Sequence, residues 1–384
     1  MQLLVPTNWD PDLILPLSKL EADVQLYGVL PTSMIGSGGS GPDNIGMTAN
    51  QVEEYIQHAG SAGLKFDYLL NAPSMSNMEW DENTHQKLLI HLNWIASIGA
   101  DSVTVTIPYL VELVKRQFPQ LRVRVSTIAH VNSVARAKLF ESLGADSITL
   151  DINVNRDFGV LKAIRHAVSC ELTVLMNNLC LYQCPYEYYH HDGLGHASQN
   201  YNPLRGHYVD YCVLRCTLDR LRDISQIIKC RWARPEDIHL YEEIGMDMFK
   251  ISGRSMPTER ILRAATAYSS RQYQGNLYDI MNVITPKAGF VNSGLPGEQS
   301  NVVASPPRFY IDNQALEGFT DFFKKQNCPS GCSNCGYCQR IADRVIEFDS
   351  DEVDEYIAAL TASLEKLSSS RVFKVRAGVK KSLP

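Results

Sequence analysis

Ten cysteines are the residues of this chain best suited to chemistry, and their spacing sorts most of them into two groups. Cys328-x3-Cys332-x2-Cys335-x2-Cys338 places four thiols within eleven residues. Such density lets one loop wrap a compact [4Fe–4S] cluster, as ferredoxin-type runs do. Structural zinc is the alternative, but its paired knuckles usually stand about a dozen or more residues apart, and that separation is missing here. The first three of these cysteines also spell the CxxxCxxC of radical-SAM enzymes. There the motif follows the first barrel strand, whereas here it lies far along the chain, so radical-SAM chemistry is not expected. The second group is Cys180-x3-Cys184 with Cys212-x3-Cys216, two pairs that can close one four-thiolate site for either an iron–sulfur cluster or zinc. Cys170 and Cys230 sit in or beside apolar elements and read as ordinary buried cysteines, with Cys230 able to replace Cys212 as fourth ligand.

Composition says where such thiols can persist. The chain has 384 residues, 45% apolar and 20% charged, as in globular proteins with a sizeable core. A disordered, coiled-coil or collagen-like chain is excluded. A net charge of −6 offers no general attraction to nucleic acid or to an anionic membrane. The longest uncharged stretch, Val24 to Pro42, is broken by Pro31 and several glycines, so no membrane span is expected. The N-terminal residues carry acids and lack a basic n-region, unlike a secretory signal. A cytoplasmic protein is expected, with thiols kept reduced for metal rather than paired as disulfides.

The elements that must hold these thiols alternate. Strand-like runs fall at 3–6, 24–29, 66–71, 102–107, 122–127, 147–152, 172–176, 226–229 and 248–251. Helical patterns lie between them at 49–59, 85–98, 109–118, 131–143, 157–167, 235–244 and 257–268, the first opened by a capping box of Thr48 and Gln51. Three strands are announced by one phrase: Gly99-Ala100-Asp101, Gly144-Ala145-Asp146 and Gly245-Met246-Asp247 each put a helix-ending glycine before a new strand. This rhythm predicts an α/β fold, a (β/α)8 TIM-like barrel over residues 1–275, with an open doubly wound sheet as runner-up. The loop Gly36–Gly41 has no P-loop lysine and reads as a flexible lid or surface loop. Residues 276–384 read as a small helical, cysteine-rich extension. It has an irregular stretch at 285–307, a short helix at 315–326, the cysteine quartet and a helix at 351–367. That last helix carries an apolar stripe of Val353, Tyr356, Ile357, Leu360, Leu364 and Leu367, expected to dock on the barrel. The basic end, from Arg371 to Lys381, reads as a solvated tail.

Several segments resemble the peptidase U32 family. The stretch Glu171–Pro185, with Cys180-Leu181-Tyr182-Gln183-Cys184, is similar to that family's strand and first cysteines. Arg234-Pro235-Glu236-Asp237-Ile238 looks like its Pro-x-Asp-Leu segment, and Phe249-Lys250-Ile251-Ser252-Gly253-Arg254 like its Phe-Lys-Ile-Glu-Gly-Arg strand end. Val125-Ser126-Thr127 stands where the family has Ser-Thr-Gln. The resemblance covers about residues 1–275 and implies a barrel and, as in several members, a [4Fe–4S] cluster on four cysteines. It implies oxygen-independent hydroxylation of a small molecule or nucleobase, or alternatively collagenase-like peptidase activity. Asn177-Asn178 in place of His-Gly, the short CxxxC and Ser252 in place of Glu mark a divergent branch with an extra C-terminal cysteine cluster.

Read residue by residue, Ser126, Asp151, Asn177, Asn178, Arg234, Lys250 and Arg254 all stand near expected strand ends, the active-site end of a barrel. Strand alternation turns Lys250 inward. Lys250, Arg254 and Arg234 can clamp a carboxylate, or the two arginines can simply pair with Glu236 or Asp237 to fix loops. The aromatic run Tyr186–His191 can stack on an aromatic substrate or pack a loop. No HExxH or GxSxG peptidase motif occurs. The expected partners are a small-molecule or peptide substrate and an electron-donor protein. RNA is less favoured, given the acidic balance.

Overall fold

The computed structural model describes residues 1–30, 32–39, 47–201, 211–286, 305–325, 328 and 335–369. Eight strands pair in parallel in sequence order: β1 (Gln2–Pro6), β2 (Asp23–Gly28), β3 (Lys65–Leu70), β4 (Ser102–Val105), β5 (Arg122–Val125), β6 (Ser147–Thr149), β7 (Glu171–Leu175) and β8 (Met248–Lys250). β8 returns to β1, with Leu4 beside Lys250, and closes a (β/α)8 barrel.

The repeated Gly-x-Asp phrase sets its spacing. Gly99, Gly144 and Gly245 take positive φ values of 90°, 104° and 93°, which end the preceding helices. The aspartate two residues on then accepts an N–H at the start of the neighbouring strand. Phe66 donates to Asp101, Val123 to Asp146 and Leu172 to Asp247, each at 2.8 Å. One motif therefore both stops a helix and fastens the open end of a strand pair.

The barrel interior is polar. Bonds between strands that are not neighbours must run through it, and they do. Gln25 of β2 donates to Ser102 of β4 at 2.9 Å, and Arg124 of β5 donates to Gln25 at 3.2 Å and to Thr173 of β7 at 2.7 Å. Asp67 of β3, fully buried, accepts from Ser102 and Thr104 at 2.5 Å each and lies 4.0 Å from the Arg124 guanidinium. Apolar residues such as Val103, Val123, Ile148 and Leu172 alternate with these polar ones.

The expected strand at 226–229 is instead helix Ser225–Lys229. A closed barrel leaves no strand edge for a ninth member. A short Ile-Ile run reads alike in helix and strand. Between β7 and β8 the chain inserts two further helices, Glu187–Ala197 and Tyr211–Arg222, which the sequence reading left unassigned. The extension contributes a hairpin of β9 (Phe309–Ile311) and β10 (Ile346–Phe348), antiparallel. Its helix Tyr337–Val345 packs on Ser225–Lys229, and its last helix, Ser350–Ser368, packs on Tyr211–Arg222. The expected stripe is the docked face: Val353, Tyr356, Leu360 and Leu364 are buried, and Ile357 and Leu367 pack against the core. The short helix expected at 315–326 is a turn, Gln314–Leu316, followed by helix Asp321–Lys325. Most of the stretch 285–307, Cys332 and the basic end lie outside the described residues. Among the described residues, no helix is long and apolar enough to cross a membrane.

Candidate functional site at the barrel mouth

Lys250 ends β8 and, as its alternation requires, points inward. Its ammonium lies 4.1 Å from the Tyr27 ring centroid, within electrostatic reach of Asp67, Arg124 and Arg254. Burial pulls its pKa from 10.5 down to about 7, with Asp67 opposing that shift. The turn that follows depends on Gly253, whose φ is 122° and where a Cβ would stand 2.4 Å from Met256. It delivers Arg254 to the mouth. There Arg254 Nη2 donates to Ser37 Oγ at 3.1 Å, while Nη1 is buried without a hydrogen-bond partner.

Ser37 carries this contact onward. Its hydroxyl donates to Asn71 Oδ1 at 3.0 Å, and Asn71 Nδ2 donates to Ser126 Oγ at 3.2 Å. Loops after β2, β3, β5 and β8 are thereby tied into one polar chain that sequence reasoning glimpsed only at Ser126 and Arg254. The glycine loop is not a surface lid over its described part. Ser37 and Gly38 are buried, and the Gly38 carbonyl accepts from His191 Nδ1 at 2.6 Å. A Cβ on Gly38 would meet Ile128 at 2.9 Å, so only glycine lets this backbone lie so close to the barrel. Ser40 and Gly41 lie outside the described residues.

Two more of the expected mouth residues, Asn177 and Arg234, are occupied. Asn177 donates to the Ser252 and Ile280 carbonyls at 3.1 and 3.0 Å and accepts from the Ser252 amide at 2.7 Å. Arg234 turns to the extension: it donates to Asn313 at 3.0 Å and to the Leu316 carbonyl at 3.1 Å, and pairs with Glu236 at 3.4 Å. Among its described contacts Arg234 has the loop-fixing role, and Asn177 braces the strand end beside Lys250.

The depressed Lys250 predicts a pH dependence of stability. Between about pH 7 and 10.5 the unfolded chain holds a proton that the folded chain has released, so stability contributed here rises with pH across that window. Below about pH 7 the buried ammonium exacts its full cost. Urea unfolding should show wild type gaining on Lys250→Met by up to about 1.4 kcal/mol per pH unit above neutrality. A difference that stays constant from pH 7 to 9 would refute the depressed ammonium.

Beside the mouth the insertion gathers thiols. Cys180 follows β7, and Cys184 lies one turn further. Cys216 rides on helix Tyr211–Arg222, and Cys230 caps helix Ser225–Lys229. Burial first, then Glu187, Cys184, Cys216 and Cys230, drives the Cys180 thiol well above its ordinary pKa. Burial lifts Cys184 to about 11 and Cys230 to about 12, and Cys216 bears on both. Cys212, though buried on the same helix as Cys216, is not among the charges that bear most on these three thiols. Arginines stand against the set. Buried Arg220 donates to the Leu179 carbonyl at 3.0 Å and is acted on by Cys216, Cys230 and Cys180.

The tail cysteines come to the same side. Arg231, next in sequence to Cys230, stacks 3.7 Å over Tyr182 and points Nη1 at Cys328 Sγ, 3.6 Å away. Arg156 lies 4.4 Å over the Trp232 ring, within electrostatic reach of both Cys230 and Cys338. Cys335 is exposed, and Cys332 is outside the described residues. Two arginines therefore stand between the barrel thiols and the tail residues Cys328 and Cys338, which nothing in the spacing foretold.

Residues 45–272 match the family model described as peptidase family U32. An uncharacterized protease of Methanocaldococcus jannaschii is 33% identical over 297 residues, 76% of this chain and 80% of that one. Among solved structures, that of the U32 peptidase Mk0906 is similar with a TM-score of 0.50 at 22% identity, covering 67% of this chain and 95% of that chain. The structural likeness bears on the fold.

Proposed function

Since the chain belongs to peptidase family U32, we propose that it is an iron–sulfur oxidoreductase of that family, an oxygen-independent hydroxylase or related modifying enzyme. The observation that carries this reading is the set of four thiols, Cys180, Cys184, Cys216 and Cys230, one buried and three partly so, drawn from three segments to one side of the barrel mouth. Zinc and an iron–sulfur cluster ask different spacings of such thiols. A tetrahedral zinc with Zn–S of about 2.3 Å holds its sulfurs about 3.8 Å apart. Among the described residues no three thiols lie within 4.8 Å of one another. A cluster with one iron per thiolate spreads its thiolates more widely than a single zinc does.

Such a cluster, when bound, exchanges single electrons. The chain's own groups do the rest. Arg220 and Arg156 offset the negative charge that four thiolates would bring. Lys250 and the unpartnered Nη1 of Arg254 receive an anionic group of the substrate, and the Ser37–Gly38 loop excludes water above them. The tail quartet holds a second [4Fe–4S] cluster, and exposed Cys335 gives an electron-donor protein an approach to it. The substrate is a small molecule or peptide; a nucleobase in RNA is less favoured by the charge of −6. The protein works in the cytoplasm.

Peptidase action is the second reading, favoured by the name of the Methanocaldococcus jannaschii relative. The high-lying thiols argue against a cysteine nucleophile, which needs a depressed pKa. Replacing Cys180 or Cys184 by serine should abolish activity and leave the circular dichroism of the barrel unchanged. Hydrolysis of unstructured peptides that persists after all iron and other metals are removed would overturn the redox reading.

A further inference from the structure

A second donor set lies beside the thiols and shares none of their residues. His130 ends the turn after β5, Asp151 follows β6, and Glu187 opens the insertion helix Glu187–Ala197. His130 Nδ1 lies 3.4 Å from Asp151 Oδ2 and 3.8 Å from Glu187 Oε1. One donor atom from each falls within 4.8 Å of the others, the group among the described residues that meets that spacing. His130 and Asp151 are buried to 7% and 3% side-chain exposure, and Glu187 to 14%.

The carboxylate oxygens are already tethered. Asn153 donates through its amide and its Nδ2 to Asp151 Oδ1 at 2.8 and 2.9 Å, and through the same Nδ2 to Glu187 Oε2 at 3.4 Å. Asn132 Nδ2 donates to Asp151 Oδ2 at 3.2 Å. One asparagine thus orients both carboxylates so that Asp151 Oδ2 and Glu187 Oε1 face the imidazole. Tethering of this kind is how outer groups fix metal-binding carboxylates. No arginine or lysine side chain pairs with either carboxylate in the described contacts; Arg136 reaches only the His130 carbonyl, at 2.6 Å. Two largely buried carboxylates face one imidazole, which carries at most one positive charge, and buried charge is costly unless it is balanced.

We propose that His130, Asp151 and Glu187 form a second metal site, for one divalent first-row cation, separate from the thiol site. One imidazole and two carboxylates are donors for Mn2+, Fe2+ or Zn2+ rather than for an iron–sulfur cluster. Three protein ligands leave positions open, as sites that bind water or substrate do. Tyr188 covers one face of His130 at 4.5 Å between ring centroids, and His191 lies 6.4 Å away. The cation would thus sit under the insertion helix. Glu187 also donates its amide to the Cys184 carbonyl at 3.3 Å, so the two sites adjoin without sharing a ligand. This inference does not need the thiols to hold iron.

The test uses the full chain, prepared anaerobically, passed through EDTA and titrated with Mn2+ while EPR follows the free ion. Wild type should bind one Mn2+ per chain. Asp151→Asn should weaken that binding at least about 100-fold, and Asn153→Ala, which removes the tether together with the Oδ1 that accepts the Gln183 amide at 2.7 Å, about 10–100-fold. Iron and sulfide contents should not change in Asp151→Asn, which leaves the bond from the Gln183 amide to Asn153 in place. Should Asp151→Asn fail to fold, Asn153→Ala decides alone. Cys180→Ser should keep its Mn2+ site, which separates failure here from failure of the cluster reading. No Mn2+ site on wild type, unchanged affinity in Asn153→Ala, or loss of the site in Cys180→Ser would each overturn the proposal.

Discussion

Cys230→Ser should empty the barrel thiol site of iron as completely as Cys180→Ser does, whereas Cys212→Ser should leave its iron in place. Spacing alone pairs Cys212 with Cys216, because two CxxxC pairs look like one site. On the proposed reading the fourth thiolate is Cys230. Cys212 and Cys216 stand one turn apart on helix Tyr211–Arg222, and it is Cys216 that bears on Cys180, Cys184 and Cys230. Cys230 sits where the short helix Ser225–Lys229 ends, flanked by Arg220 and Arg156, whose charges favour a thiolate there. Losing one thiolate from four costs the cluster an anchor on one iron, so the expected loss is about four irons per chain. Iron analysis of the three variants checks this directly. Retained iron in Cys230→Ser together with lost iron in Cys212→Ser would restore the pairing suggested by spacing.

A large loss of stability is expected from Asp67→Ala. Asp67 is the acceptor for two buried hydroxyls, Ser102 and Thr104, and the carboxylate nearest the buried Arg124 guanidinium. Arg124 otherwise donates to neutral groups, Gln25, Ser147 and Thr173, and its Nε has no hydrogen-bond partner. Removing the carboxylate leaves a cation and two hydroxyls in a dry barrel, a change that costs about 3–5 kcal/mol. The double variant Asp67→Ala with Arg124→Met removes both charges and should recover much of that loss. Chemical denaturation of the two variants measures both. A single variant within about 1 kcal/mol of wild type would mean that water or another group compensates the interior charge.

The barrel was legible because its signals repeat. The Gly-x-Asp phrase before β4, β6 and β8 ends a helix and pins the neighbouring strand, and each copy does both. Lys250 was legible for the same reason: alternation in a three-residue strand leaves it one direction to point. What failed was local and short. Residues 226–229 are apolar enough for either period, and only closure of the sheet decides between them. Helix Glu187–Ala197 contains Gly193, Gly195 and three histidines, a composition with little helix propensity, so tertiary packing must hold it.

The site was legible in part, for reasons of distance along the chain. Cysteines in close pairs announce themselves, while Cys230 stands alone and takes its role from the return of the insertion to the barrel. His130, Asp151 and Glu187 come from three separate connections, and no spacing links them. The signal that finds such residues is their position just past strand ends, which the sequence reading applied to Asp151 but not to His130 or Asn71. Arg234 shows the converse. It has the right residue type near a strand end, yet the extension captures it.

On the proposed reading this barrel carries iron and sulfide. The measurement that tests it most directly is iron and acid-labile sulfide per chain after anaerobic purification, with the EPR spectrum of the dithionite-reduced protein. Two clusters predict about eight irons and eight sulfides. A reduced-cluster signal should appear, and about half the iron should remain after Cys332 and Cys335 are both replaced by serine. Stoichiometric zinc without iron or sulfide, and no signal on reduction, would contradict the account.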